Sequence, residues 1–168
     1  MALKKTSSTI VISSVVVESG ANTFTAEKID LQLNPLDNEV YVVTGVNLDP
    51  DEPDYVNGAS TAVLASISTV QRTGVGFISD SNVIAAARNA LITSASPGDP
   101  SVAFSREDPL MVPPGEDYLA IIATNDFYLN IMGQNNGNAK ACRARVYGYR
   151  ARADANTYAA LVQSELLS

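Results

Sequence analysis

Histidine is absent from this chain of 168 residues, which also has a single cysteine and no tryptophan. Without imidazole there is no Ser-His-Asp triad, no Cys-His pair and no histidine metal ligand. The one cysteine, Cys142, can form neither an internal disulfide nor a thiolate zinc site. No tryptophan is available to line a sugar cleft. These absences exclude most of the familiar catalytic machinery.

Long hydrophobic runs and nucleotide-binding motifs are lacking as well. No apolar stretch reaches 18 residues, so we expect no membrane span. The lysine-bearing N-terminal segment lacks the dense apolar run of a signal peptide. There is no Walker loop, G-x-G-x-x-G or G-x-S-x-G motif.

Paired carboxylates are the one catalytic chemistry still open to this composition. The acidic residues that could take part lie in proline-containing loops or at strand starts, where solvated carboxylates are expected: Asp49, Asp51, Glu52, Asp54, Glu107, Asp108, Glu116 and Asp117. No site with a nucleophile, a base and an orienting group can be assembled from these residues. We therefore expect no enzymatic activity, no metal and no cofactor.

The charge is acidic overall and unevenly distributed. Eighteen acidic residues against 11 basic ones give a formal net charge of −7. This sign argues against general nucleic-acid binding, because phosphate neutralisation supplies most of that affinity. Residues 140–152 nevertheless hold five of the basic residues, and residues 49–54 hold four of the acidic ones. The opposite charge of these two segments is the clearest electrostatic feature of the chain.

Apolar residues recur with period two through most of the sequence, which is typical of strands. The pattern predicts about eight strands, at residues 8–17, 23–33, 39–48, 60–70, 101–105, 117–124, 126–132 and 140–152. In the third strand we expect Val40, Val42, Val46 and Leu48 to share one face. Residues 135–138, Asn-Asn-Gly-Asn, predict a hairpin because Asn and Gly tolerate positive φ.

Two segments have helical spacing. Residues 82–92 place Val83, Ala87 and Leu91 on one face, which favours a helix, with a strand as the alternative. The C-terminal tail is predicted to be an amphipathic helix near residues 155–167. Its spacing places Tyr158, Leu161, Val162 and Glu165 on one side, and Leu166 closes the apolar stripe. We divide the chain into an arm over residues 1–8, a β-sandwich domain over 9–153 and a helical tail over 154–168.

The last strand separates two kinds of side chain. Cys142, Ala144 and Val146 share a face and are predicted to be core residues. The opposite face and the end of the strand carry arginine and tyrosine, which are enriched at protein interfaces: Arg143, Arg145, Tyr147, Tyr149, Arg150 and Arg152. A platform for single-stranded nucleic acid and an ordinary exposed strand face are the alternatives.

The acidic segment at residues 49–54 also has three interpretations. It is a hydrated loop, a calcium site without the regular Asp-x-Asp-x-Asp-Gly spacing, or a contact with basic residues of a neighbouring subunit. We propose the third for Asp49, Asp51, Glu52 and Asp54, together with the arginines and tyrosines of the last strand. If the two segments lie on one face they pair within the chain, whereas on different edges they make a head-to-tail contact.

Several features form a recognisable pattern. They are a short arm bearing Lys4 and Lys5, about eight strands, a proline-rich corner at 108–115, and an arginine- and tyrosine-bearing final strand at 143–150. This pattern resembles small coat proteins of bacterial or archaeal viruses that are built on a single jelly roll or similar β-sandwich. The arm lacks the strongly basic character of coat proteins that contact the genome, so we expect no direct nucleic-acid binding.

The resemblance implies an all-β, jelly-roll-like sandwich of about eight strands with a short C-terminal helix. It also implies a self-assembling capsid subunit, built into virions in the host cytoplasm, whose partners are copies of itself and other virion proteins. A capsid decoration or cement protein and a carbohydrate- or receptor-binding sandwich are the alternative functions.

Overall fold

Two antiparallel β-sheets pack face to face in the computed structural model, which describes residues 3–94, 96, 98–106 and 110–167. Some residues considered above lie outside the described residues: the first two residues of the arm, the acidic residues Glu107 and Asp108, part of the proline-rich corner, and Ser168. The elements are β1 (Leu3–Lys5), β2 (Ile10–Val17), β3 (Thr25–Asp30), a 3-10 turn (Pro35–Asp37), β4 (Glu39–Pro50), β5 (Thr61–Ser68), β6 (Val83–Thr93), β7 (Ser101–Arg106), β8 (Leu110–Met111), β9 (Ala120–Ile122), β10 (Asp126–Gln134), β11 (Ala141–Ala153) and α1 (Ala155–Leu167).

The chain crosses between the two sheets repeatedly, although β5, β6 and β7 follow one another within sheet B. In sheet A, β11 lies between β4 and an edge formed by β1 and β2, and β8 and β9 lie on the far side of β4. In sheet B the order is β3-β10-β5-β6-β7. This confirms the predicted all-β sandwich with a C-terminal helix, and the strand order is consistent with a jelly roll.

Large apolar side chains from both sheets fill the space between them. Phe127, Leu129 and Ile131 alternate along β10 and are fully buried, because every second residue of a strand points to the same face. Tyr41 and Val146 belong to the same cluster from sheet A. Burial of each large apolar side chain contributes about 1.5–3 kcal/mol to folding.

Cys142 is part of this core, as predicted, and so are Ala144 and Val146. Burial raises the pKa of the Cys142 thiol to about 12. The thiol therefore stays protonated at neutral pH, and thiolate chemistry is not available to it.

A β-bulge interrupts the pairing of β4 with β11. Tyr147 lies opposite Gly45 and Gly148 lies opposite Val43, which leaves Thr44 without a partner in register. One extra residue in a strand reverses the phase of the side chains that follow. The even-numbered residues of β4 therefore point to opposite sides of sheet A before and after the bulge.

The bulge corrects the prediction that four apolar residues of β4 share a face. Val46 and Leu48 face sheet B and join the main core. Val40 and Val42 face the outside of sheet A and join a second apolar cluster. That second cluster requires a cover of its own.

Helix α1 provides the cover, and its position confirms the predicted tail. Asp154 caps the helix by accepting a hydrogen bond from the Thr157 N–H at 2.9 Å. Tyr158, Leu161 and Val162 pack on the second cluster as predicted. Leu166, however, is exposed, so the apolar stripe ends before it.

Two other predictions are wrong. Residues 82–92 form strand β6 instead of a helix, because β5 and β7 flank this segment and pair with it on both sides. Residues 135–138 do not close a hairpin, because β10 belongs to sheet B and β11 to sheet A. Asn135 has the positive φ expected of a turn, but that turn connects the two sheets.

Candidate interaction surfaces

The acidic segment and the basic strand pair with each other within the chain. Strand β4 extends into the acidic segment as far as Pro50, and its antiparallel register with β11 places Asp49 opposite Arg143. Arg143 Nη1 lies 3.0 Å from the Asp51 carboxylate, and this hydrogen bond raises the pKa of Arg143. Of the two arrangements that the sequence left open, the structure has the one on a single face, in which Asp51 and Arg143 pair within the chain.

Asp54 anchors the connection between β10 and β11. Its carboxylate accepts hydrogen bonds from the Gly137 N–H at 3.0 Å and the Asn138 N–H at 2.9 Å. The Lys140 ammonium lies 2.6 Å away, and its hydrogen bond lowers the pKa of Asp54 below the ordinary value of 3.8. Asp54 therefore holds the crossover between the sheets in place as a carboxylate.

The lowered pKa of Asp54 predicts a pH-dependent contribution to stability. Because the folded-state pKa lies below 3.8, ionised Asp54 stabilises the fold above pH 3.8, and this stabilisation is lost as pH falls through the folded-state value. We expect the Tm of the wild type to exceed that of Asp54→Asn at pH 7 and the difference to narrow as pH falls below 3.8. Thermal melts of both proteins between pH 7 and 2 test this, and a constant difference would contradict it.

The remaining predicted residues at the end of β11 also have partners within the chain. Arg150 lies 3.0 Å from Glu39 and donates to the Leu31 carbonyl at 2.7 Å. Arg152 lies 3.0 Å from an Asp37 carboxylate oxygen. The Tyr149 ring lies 4.5 Å below the Lys5 ammonium, within cation–π range. Glu52 is exposed and forms no ion pair with any described residue.

The half of sheet A that α1 leaves uncovered presents a mixed apolar and polar surface, here called the open face. The register of β11 sets Tyr147 beside Val11 and Arg145 beside Ser13. The open face consists of Val11, Val15, Val17, Met111, Arg145 and Tyr147. The three valines are between 48% and 56% exposed, although valine is among the residue types most often buried. Arg145 forms no ion pair within the part of the chain that the structure describes.

Strand β2 forms the border of the open face and is an unprotected edge. Among the described strands it pairs only with β11, so its other side has no backbone partner strand. No charged residue and no proline occur between residues 6 and 17. Soluble proteins usually block such edges with lysine, proline or a bulge, because an open edge pairs readily with another strand.

A groove of about 490 Å³ lies on the outside of sheet B, here called the sheet B groove. Strands β5, β6 and β7 form its floor and the β5–β6 connection forms a wall. The lining is mostly apolar: Leu64, Val75, Phe77, Ala90, Ile92 and Phe104. Arg88 and Arg106 stand directly opposite each other at the groove and form no ion pair with any described residue. Like charges at opposed positions destabilise a sheet unless something neutralises them.

Buried carboxylates that sequence reasoning did not assign hold the ends of the sandwich. Glu18 accepts hydrogen bonds from the Gly133 N–H at 2.6 Å and the Lys140 N–H at 2.8 Å. Glu165 of α1 accepts from the Ala123 N–H at 2.6 Å and the Thr124 N–H at 3.0 Å. Two features of the sequence could have pointed to these carboxylates. Glu18 comes directly after a valine-rich strand, and Glu165 lies at helical spacing among the apolar residues of the tail.

The described residues contain no group of three or more acidic or cysteine side chains arranged to hold a metal ion. No helix among them is long and apolar enough to cross a membrane. No protein-family model matches the sequence, and a comparison with curated proteins finds no match either. Function must therefore be inferred from the surfaces of the sandwich.

Proposed function

We propose that the protein is a structural subunit that assembles with copies of itself into the coat of a virus particle. The observation that carries self-assembly is the open face of sheet A together with the unprotected edge of β2. A subunit that pairs with its own kind needs such an edge, whereas a monomer is expected to block it.

The edge of β2 is suited to pairing with β2 of a second copy. In an antiparallel pair centred on Ser13, Val11 of each copy lies opposite Val15 of the other. Cross-strand pairs of β-branched residues contribute about 0.2–1 kcal/mol each, in addition to the backbone hydrogen bonds. Such a contact is isologous and extends sheet A across two molecules.

The viral part of the proposal is supported by the pattern of strands, proline-rich corner and lysine-bearing arm that resembles small viral coat proteins. A strand order consistent with a jelly roll agrees with it. Because the net charge is −7, we expect another component of the particle to contact the genome.

Substituting a valine of the open face tests the β2 contact. We expect Val11→Lys to lower the assembled fraction about tenfold, because it removes both Val11–Val15 cross-strand pairs and places lysine on the edge strand, where it opposes pairing. The free energy of unfolding of the monomer should change by less than about 0.5 kcal/mol, since the side chain is half exposed. Light scattering and negative-stain microscopy measure assembly, and chemical denaturation measures stability.

Leu166→Lys is the matched control, because Leu166 is an apolar residue that is 70% exposed on α1, away from both β2 and the sheet B groove. This variant should assemble like the wild type. A wild type that stays monomeric over a wide concentration range would refute self-assembly, and a discrete trimer without larger particles would indicate a decoration protein. Normal assembly of Val11→Lys would show that β2 is not the contact.

A further inference from the structure

We propose that the 3-10 turn of one copy, Pro35–Asp37, inserts into the sheet B groove of the next copy. This inference rests on the proposed self-assembly and supplies its second contact. Pairing through β2 is symmetric and closes at two molecules, so a larger shell needs a contact between two different surfaces.

The turn presents an apolar tip. Leu36 is 93% exposed, and Pro35 beside it is exposed as well. A leucine with almost no contact to its own chain contributes nothing to the core. Burying it against a partner would remove this apolar surface from water and stabilise the contact.

The tip is held in one conformation. The Asn34 side chain accepts a hydrogen bond from the Leu36 N–H at 3.0 Å and donates one to Asp37 at 2.7 Å. Asn38 closes the turn in the left-handed conformation, with φ of 51°. Because the turn is already ordered, docking it costs less conformational entropy than docking a flexible loop.

The sheet B groove has the shape and chemistry to receive this tip. Its volume of about 490 Å³ is within the range of ligand-binding clefts and exceeds what one side chain needs. Phe77, Ile92 and Phe104 around it are each at least 50% exposed, so the groove is incompletely covered by its own chain. A proline-leucine pair would add apolar contacts to all three.

Charge favours a second copy as the occupant. Arg88 and Arg106 add two positive charges at the groove, whereas the chain as a whole carries −7. Asp37 follows the inserted leucine directly and would bring a carboxylate towards these arginines. Its ion pair with Arg152 is half exposed and leaves acceptor sites free for a further partner.

The turn and the groove lie on different parts of the sandwich. The turn follows β3, which is one edge strand of sheet B, whereas the groove lies over β5, β6 and the opposite edge strand β7. A contact between them is therefore heterologous, and it propagates from copy to copy. Combined with the symmetric β2 contact, it would extend dimers into a closed shell or lattice.

Cysteine trapping tests this contact directly, because the native Cys142 is fully buried and protonated at neutral pH. We mix the full-length variants Leu36→Cys and Phe104→Cys in equal amounts under assembly conditions and oxidise them. A disulfide-linked dimer should form at least tenfold more in the mixture than in either variant alone. The double variant carrying both substitutions should give a ladder of covalent oligomers on a non-reducing gel.

Leu36→Cys mixed with Val17→Cys is the matched control, since Val17 is equally exposed but belongs to the open face of sheet A. Ile92→Cys serves as a second groove position in case the loss of Phe104 weakens the groove.

If the wild type forms particles but neither groove cysteine links to Leu36→Cys, the turn-and-groove contact is wrong and the proposed function stands. Absence of wild-type particles refutes the proposed function itself. A stoichiometric lipid in unlinked protein, detected by native mass spectrometry, would assign the groove to a small amphiphile instead.

Discussion

Replacing Gly148 by alanine is expected to lower the free energy of unfolding by about 3 kcal/mol or more, at the upper end of what overpacking usually costs. A Cβ atom at this position would lie 2.3 Å from the Val42 carbonyl oxygen and 2.7 Å from the Tyr41 ring. Neither neighbour can move easily, because Val42 belongs to the β4 backbone and Tyr41 is almost completely buried. Urea denaturation followed by circular dichroism measures the change.

Gly74→Ala is the matched control for this substitution. No atom lies within 4 Å of a Cβ built at Gly74, so the same added methyl group should change stability by no more than about 0.5 kcal/mol. A Gly148→Ala protein as stable as Gly74→Ala would mean that β4 and β11 can separate locally. In that case the bulge at Thr44 would not require close approach of the two strands.

The bulge beside Gly148 connects the strand pairing to the surfaces proposed for assembly. It turns Val40 and Val42 at the start of β4 outwards, and α1 covers them. Beyond the bulge the outer side of β4 carries Gly45, Asn47 and Asp49, which give a helix no apolar surface to cover. The outside of sheet A is thus divided into a covered half and an open half by one extra residue.

Much of the sandwich was predictable from period-two patterning, because strands buried on one face alternate regularly. The core position of Cys142 and the amphipathic tail followed from the same reasoning. Strand β6 was not predictable, because its alanines satisfy helical and strand spacing alike and only pairing with β5 and β7 decides between them. The phase change in β4 was hidden for a related reason, since a bulge is visible only in the register with β11.

The candidate surfaces were only partly predictable. Opposite charge in two segments was evident in the sequence, but whether Asp51 meets Arg143 of its own chain depends on the antiparallel register of β4 and β11. The sheet B groove has no sequence signature, because its lining comes from β5, β6, β7 and the connection near Val75. The sequence around Leu36 did not predict a contact with another copy, because only the fold shows that this leucine is almost fully exposed.

Removing the buried carboxylate of Glu18 is expected to cost about 3 kcal/mol of stability, which corresponds to a decrease in Tm of roughly 6–12 °C for a chain of this size. Glu18 follows β2 in sheet A and is only 4% exposed. Its two oxygens accept hydrogen bonds from the N–H groups of Gly133 in β10 and Lys140 before β11, so it connects both sheets. Glu18→Ala leaves two buried backbone donors without an acceptor, and calorimetry measures the resulting decrease in Tm.

Glu18→Gln and Glu27→Ala separate the possible causes of that decrease. Glutamine keeps one acceptor oxygen but places an NH₂ group against the second donor, so its Tm should lie between those of the wild type and Glu18→Ala. Glu27 is an exposed glutamate on β3, and its replacement by alanine removes the same charge with a change of at most about 0.5 kcal/mol. If Glu27→Ala lowers the Tm as much as Glu18→Ala does, the effect comes from net charge. If Glu18→Ala melts like the wild type, water replaces the carboxylate and Glu18 does not hold the sheets together.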